Sequence, residues 1–129
     1  MDKIVLSGFA DEISSSLDRQ IQVLKKLGIS HMEIRGVEKK GIDTYTTEEV
    51  KEIKGKLDDQ GIAISSLASP IGKINIKDDF TPHLEHFKHV AELAHVLNTR
   101  YIRMFSFFMP EGKDPDGYKE TVFEQLDQL

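Results

Sequence analysis

The chain has 129 residues, of which 39% are hydrophobic and 30% are charged, a balance typical of soluble globular proteins. It has no cysteine, which excludes disulfide bonds and thiolate metal sites and suits a cytoplasmic protein. The formal net charge of −5, without a basic stripe, argues against nucleic-acid binding, and no apolar run approaches the ~18 residues of a membrane span.

Apolar spacing predicts four strands, each followed by a helix, and the first strand begins at once, without the features of a signal peptide. The predicted strands are 3–9, 31–35, 62–68 and 101–108. The predicted helices are 17–27, a second from a cap at Thr46 or Thr47 to Asp58 or Asp59, 80–97 and 118–129. Ser15 or Ser16 can cap the first helix, and the first three helices stop at Gly28, Gly61 and Asn98.

These stops fall one strand-helix unit apart, which predicts an α/β fold with a parallel sheet. Four such units make the N-terminal half of a TIM (β/α)8 barrel, and a small doubly wound sheet is the alternative. An open sheet covered by helices on both faces prefers apolar strands, whereas charged Glu33, Arg35 and Arg103 alternate with apolar residues. The pattern therefore favours the half-barrel, with 1–129 as a single domain.

The last predicted strand carries an arginine between two apolar residues. Arg103 follows Ile102 and precedes Met104, so it shares a strand face with Phe105. Because a buried arginine is costly unless it is paired or solvated, this face should border a polar interior. Glu33 could occupy the same layer, either as a ligand-binding partner of Arg103 or as an internal ion pair that binds nothing.

Four segments at the predicted strand ends resemble, in order, those of the sugar phosphate isomerase/epimerase family. This family belongs to the xylose isomerase-like (AP endonuclease 2-type) TIM barrels, which also include endonuclease IV-type enzymes. The segments are Gly8-Phe-Ala-Asp-Glu-Ile13, Met32-Glu-Ile-Arg35, Ser69-Pro-Ile-Gly-Lys73 and Tyr101-Ile-Arg-Met-Phe-Ser-Phe-Phe108. The resemblance implies an enzyme that moves a proton beside a sugar carbonyl through an enediolate, with a glutamate as base and a divalent metal ion (Mn, Mg or Zn).

In that family the metal ligands come from later strands, which this chain does not contain. We therefore assign no catalytic residue, expect no metal in this chain and expect the isolated chain to be inactive. An endonuclease IV-like activity on DNA is a further alternative that the acidic charge disfavours.

The resemblance instead implies substrate-binding residues for a small sugar or sugar phosphate. Glu33 and Arg103 would contact hydroxyls or carboxylates, and Arg35 and Lys73 would meet an anionic group. Phe9, Phe105 and Phe107 would form apolar walls.

Three other features have alternative interpretations. The segment 69–73 lacks the spacing of a phosphate-binding P-loop, so Lys73 could be a solvated turn residue. Asp11 and Glu12 stand at a strand end, where they could serve chemistry or helix entry. The histidines of the third helix do not form a zinc motif and are expected on its exposed side: His83, His86, His89 and His95.

A half-barrel would also leave the edges of its first and last strands unpaired. Such edges invite association with another chain, so a homodimer that completes a pseudo-barrel is expected.

Overall fold

The computed structural model describes residues 3–129. The strands are β1 His31–Ile34, β2 Gly36–Val37, β3 Lys40–Gly41, β4 Ala63–Ala68 and β5 Ile102–Arg103. The α-helices are α1 Leu17–Lys26, α2 Thr47–Asp59, α3 Phe80–Val96 and α4 Lys119–Asp127. Short 3₁₀ helices lie at Ala10–Glu12, Ile42–Thr44 and Pro115–Tyr118. Between residues 3 and 129, no helix combines the length and the apolar character that crossing a membrane requires.

Three of these strands form a parallel sheet in the order β1–β4–β5. In this sheet α2 lies between β1 and β4 in the chain, and α3 lies between β4 and β5, which confirms the predicted parallel α/β arrangement. The antiparallel β2–β3 hairpin lies in the segment between β1 and α2, where a loop was predicted. The sheet thus has its strand ends, and the loops that follow them, along one edge.

The helix starts and stops follow the predicted signals. Ser16 caps α1 by accepting a hydrogen bond from the Arg19 amide at 3.4 Å. Thr46 caps α2 in a capping box with Glu49, whose carboxylate accepts from the Thr46 amide at 2.8 Å. Asn98 has a φ of 56°, so it does replace the glycines after α1 and α2.

The predicted first strand, 3–9, is wrong as a regular strand. Only Phe9 bridges to Glu33, whose amide donates to the Gly8 carbonyl at 3.0 Å, and Ile4 is 85% exposed. A strand in a closed barrel pairs on both sides, but within residues 3–129 this segment has only β1 beside it. One-sided pairing therefore leaves most of the segment irregular.

The predicted buried strand 101–108 is wrong beyond β5. Phe107 has a φ of 77°, which interrupts extended backbone, and Phe105 and Phe108 are exposed. The backbone instead follows the loop after β4, since the Phe105 amide donates to Ile71 and the Phe107 amide donates to Gly72, at 2.7 and 2.9 Å. The backbone of this segment therefore forms its hydrogen bonds with a loop and not with a neighbouring strand.

The core lies between the sheet and the first three helices. Met32 and Ile34 of β1 pack with apolar residues of α1, α2 and α3, among them Leu24, Leu57 and Leu93. The opposite face of the sheet contributes nothing to this cluster. Helices on a single face agree with a barrel wall and not with a doubly wound sheet.

Helical spacing predicts a buried stripe of Leu84, Phe87, Val90, Ala91, Ala94 and Leu97 in the third helix and one of Tyr118, Val122, Leu126 and Leu129 in the fourth, and both predictions are partly wrong. In α3, Leu84, Phe87 and Ala91 are only half-buried, and Leu93 is fully buried. In α4 the buried residue is Gln125, and the predicted stripe stays partly exposed: Tyr118, Val122, Leu126 and Leu129.

Candidate active site

The strand register brings most of the predicted site residues to one face of the sheet. Glu33 lies opposite Ser66, and Arg103 lies opposite Ala68. Paired residues share a face, as do residues two apart on a strand, so Glu33 and Arg103 are on the same side. Their common side is the one away from the helices, which the predicted shared layer requires.

The ion pair between Glu33 and Arg103, one of the two alternatives for these residues, does not form within residues 3–129. Arg103 lies level with Ala68, whereas Glu33 lies level with Ser66, so the two are offset by two residues, or ~6.6 Å along the strands. The Arg103 guanidinium instead donates from Nη1 to the Ser69 carbonyl at 3.2 Å.

Arg35 is neutralised by two carboxylates from the segment that precedes α1. Its Nε and Nη2 donate to the two Asp11 oxygens at 2.7 and 2.9 Å, and Nη2 also donates to Glu12 Oε1 at 2.6 Å. The Asp11 hydrogen bonds, and then those of Glu12, raise the pKa of Arg35 above its usual range. Arg35 is therefore occupied by carboxylates of its own chain.

A line of alternating cations and aromatic rings crosses the strand ends. The Arg35 guanidinium lies 4.4 Å from the centre of the Phe9 ring, and that of Arg103 lies 5.8 Å from it. On the other side Arg103 and Lys73 lie 4.6 and 4.5 Å from the centre of the Phe105 ring. These five residues form what we call the strand-end cluster: Phe9, Arg35, Lys73, Arg103 and Phe105.

Phe107, predicted as a third apolar wall, does not join this cluster. Its ring packs edge-on against Phe80 at the start of α3, with ring centres 6.0 Å apart. The positive φ of Phe107 turns its side chain away from the line that Phe105 follows.

His83 is a residue that the sequence interpretation misplaced. It was expected on the exposed side of the third helix, but it is 7% exposed, and its Nε2 accepts a hydrogen bond from the Gly72 amide at 2.8 Å. Burial, and then the charge of His86, lowers the pKa of His83. The sequence did carry a signal that His83 is buried, because its spacing from Phe80, Phe87 and Val90 puts all four residues on one helical face.

Two other histidines of α3 contact the 3₁₀ turn that precedes α2. His86 Nε2 lies 3.0 Å from Asp43 Oδ2, and His89 Nε2 lies 2.8 Å from the Tyr45 carbonyl oxygen. Both rings are half-buried, whereas His95 is exposed as predicted.

This part of the chain does not fit a metal ion. Among residues 3–129, no three His, Asp or Glu side chains lie close enough together to hold one. The carboxylates of Asp11 and Glu12, which do lie at a strand end, are engaged by Arg35.

A cavity of about 320 Å³ adjoins the strand-end cluster on the Arg35 side. It is lined by Asp11, Ser15, Arg35, Gly36, Lys39, Lys40 and Gly41. A wider groove of about 840 Å³ runs along α1 and the end of α2, and none of its lining residues belongs to the strand-end cluster. We place the candidate site at the strand ends because the strand-end cluster lies there and the smaller cavity adjoins it.

The fold and this site define the chain as a parallel α/β half-barrel with its polar face at the strand ends. A family model described as a xylose isomerase-like TIM barrel matches residues 21–129. The chain belongs to this family. None of the curated proteins matches it significantly.

Solved structures of low sequence identity share the fold. The probable 3-DHS dehydratase AsbF from Bacillus anthracis has a TM-score of 0.72 at 17% identity, over 95% of this chain and 46% of its own. D-psicose 3-epimerase in the presence of D-fructose has a TM-score of 0.67 at 17% identity, over 94% and 46%. A xylose isomerase-like TIM barrel protein from Mycobacterium smegmatis in complex with magnesium has a TM-score of 0.62 at 15% identity, over 94% and 48%. The chain spans about half the length of these structures.

Proposed function

We propose that this chain forms the substrate-binding half of a sugar isomerase or epimerase that works by proton transfer beside a carbonyl. The observation that carries the proposal is the strand-end cluster, where Arg103 and Lys73 stand beside aromatic rings on the face away from the core. Membership of the xylose isomerase-like family supports it, as do the epimerase and dehydratase among the structures that share the fold.

In this proposal the chain binds and orients the sugar. Arg103 donates hydrogen bonds to sugar hydroxyls and Glu33 accepts them, while Phe9 and Phe105 pack against the apolar face of the ring. Arg35 has a positioning role, because it fixes Asp11 and Glu12 beside the Phe9 ring.

The proton-transferring base and the divalent metal ion (Mn, Mg or Zn) lie outside these residues in this proposal. Between residues 3 and 129 no cluster of His, Asp and Glu fits the metal, so no step of the reaction is assigned to it here.

Sugar binding by the 129-residue chain tests the proposal. Titration with D-fructose, followed by amide chemical shifts, should move resonances of Glu33, Phe9 and Arg103. Arg103→Gln should raise the dissociation constant about tenfold, because it removes hydrogen bonds that a charged donor makes to the sugar. The measurement is the dissociation constant from the shift titration.

The matched control is Arg100→Gln, an exposed arginine just before β5 and therefore at the opposite end of the strand. It should bind D-fructose like the unaltered chain. We also expect no epimerisation by the isolated chain with Mn²⁺ added. Turnover by the chain alone, or shifts that avoid the strand ends, would contradict the proposal.

A second candidate is a self-associating half-barrel, and the edge formed by the segment before Phe9 favours it. Ile4, Val5 and Leu6 are all exposed, which leaves an apolar stretch beside a sheet edge. Two copies could cover each other there as a homodimer.

Light scattering on a sizing column measures this association. We expect twice the monomer mass, and Leu6→Asp should return the chain to a monomer because it places a charge in the apolar stretch. Phe123→Asp is the control, since Phe123 is an exposed apolar residue on α4. A monomer at every concentration would rule the dimer out.

A further inference from the structure

The Phe105 ring of the strand-end cluster is placed by backbone contacts with a loop and not by a regular strand. Phe105 lies beyond β5, and its amide donates to the Ile71 carbonyl at 2.7 Å. The Phe107 amide donates to the Gly72 carbonyl at 2.9 Å. An added Cβ on Gly72 would lie 1.8 Å from the Phe105 carbonyl oxygen. The backbone at Gly72 therefore lies directly against Phe105, and a shift of Gly72 would move the Phe105 ring.

A side chain of α3 holds Gly72 from the helix side. His83, which is 7% exposed, accepts a hydrogen bond at Nε2 from the Gly72 amide at 2.8 Å. The His83 ring also packs against Phe80, with ring centres 5.9 Å apart, and Phe80 in turn contacts the Phe107 ring. Burial and this ring contact fix the orientation of the imidazole. Gly72 thus donates to the helix layer and accepts from the segment beyond β5.

We propose that His83 is a positioning residue of the candidate site, which acts through the Gly72 amide to set the place of the Phe105 ring. The Arg103 guanidinium lies 4.6 Å from the centre of that ring, so the same contact also affects Arg103. The consequence for sugar binding rests on the proposed function, in which Phe105 and Arg103 both contact the sugar. A supporting contact that is loose by about 1 Å weakens a site whose groups must converge on one ligand.

Three replacements of His83 separate the reach of the acceptor from the fold. Gln carries its side-chain oxygen about as far from the backbone as Nε2 lies, whereas Asn is one methylene shorter and Leu has no acceptor. We expect His83→Gln to keep the dissociation constant for D-fructose within about twofold, and His83→Asn and His83→Leu to raise it about tenfold. The amide shift titration gives the constants, and circular dichroism confirms that each variant is folded.

Chemical shifts without ligand give a second readout, at a side chain that His83 reaches only through Gly72 and Phe105. The ring current of Phe105 acts on the Arg103 side chain, so the Arg103 Nε–H resonance should move in His83→Asn and His83→Leu. It should stay in place in His83→Gln. The matched control is His95→Leu, at an exposed position of the same helix, which should change neither this resonance nor D-fructose binding.

The two readouts distinguish failure of this inference from failure of the proposed function. If D-fructose does not bind the unaltered chain, the proposed function fails, and the Arg103 resonance alone decides the role of His83. The inference is overturned if His83→Leu and His83→Asn leave that resonance and the dissociation constant unchanged and only unfold at lower urea. A His83→Gln variant that behaves like His83→Asn in both readouts would also contradict it.

Discussion

Replacement of Gly72 by alanine is expected to lower the free energy of unfolding by about 3 kcal/mol or more. Gly72 has a φ of 86°, which a residue with a side chain rarely adopts, and an added Cβ would lie 1.8 Å from the carbonyl oxygen of Phe105. Backbone strain and overpacking each cost on the order of 1–3 kcal/mol, and neither can relax without moving the segment that carries the strand-end cluster. Urea unfolding followed by circular dichroism measures the change.

Gly55→Ala is the matched control. Gly55 lies inside α2, and nothing lies within 4 Å of its added Cβ. Alanine should therefore stabilise the chain by about 0.5–1 kcal/mol. Unfolding of Gly72→Ala at the same urea concentration as the unaltered chain would show that the Gly72 loop does not hold the Phe105 segment as described.

Replacement of His83 by leucine should lower the free energy of unfolding by about 2 kcal/mol at pH 8. Leucine keeps a buried apolar side chain but leaves the Gly72 amide without its acceptor, and an orphaned buried donor costs ~1–3 kcal/mol. Urea unfolding of the two proteins at the same pH gives the difference. His95→Leu, at an exposed position of α3, should change stability by less than about 0.5 kcal/mol.

The pH dependence of stability gives a second measurement of the same contact. Burial and the neighbouring His86 lower the pKa of His83 from its ordinary 6.5, so the unfolded chain takes up a proton before the folded chain does. The contribution of His83 is thus complete above about pH 6.5 and declines as the pH falls toward the folded pKa. His83→Leu should lose this part of the decline, and an unchanged profile would contradict the assignment.

Local signals in the sequence were sufficient to predict the helices. Ser16 and Thr46 cap α1 and α2, and Asn98 takes the left-handed conformation after α3, because each feature depends on residues only a few positions away. The first strand and most of the last one were predicted wrongly because a strand depends on residues that are distant in the sequence. A strand needs partners on its edges, and the spacing of apolar residues does not say whether those partners are present.

The face of the sheet that carries the site was predictable, but its contacts were not. Alternation along a strand placed Glu33 and Arg103 together, yet the register shift opposite Met32 and Glu33 sets how far apart they lie. That shift also lets Ile64 and Leu67, of opposite parity, both enter the core. The sequence shows this break in alternation, but it does not show which residues of the neighbouring strand lie opposite it.

The pairing of Arg35 was equally hidden. Asp11 was recognised as a strand-end carboxylate, but only the fold brings it against a residue that lies beyond α1. His83 is the opposite case, because helical spacing did carry the information and the weight given to histidine as a surface residue concealed it.

The sheet places its members in the order in which the chain supplies them: the Phe9 bridge, then β1, β4 and β5. Each pairing therefore joins neighbouring strand-helix units, as His31 pairs with Ala63 and Leu67 pairs with Ile102. A parallel pairing forms only after its whole crossover has closed, so this sheet is expected to form more slowly than a helical bundle with local contacts. The half-barrel can still build its helix-side core unit by unit, and its polar face forms as the strands align.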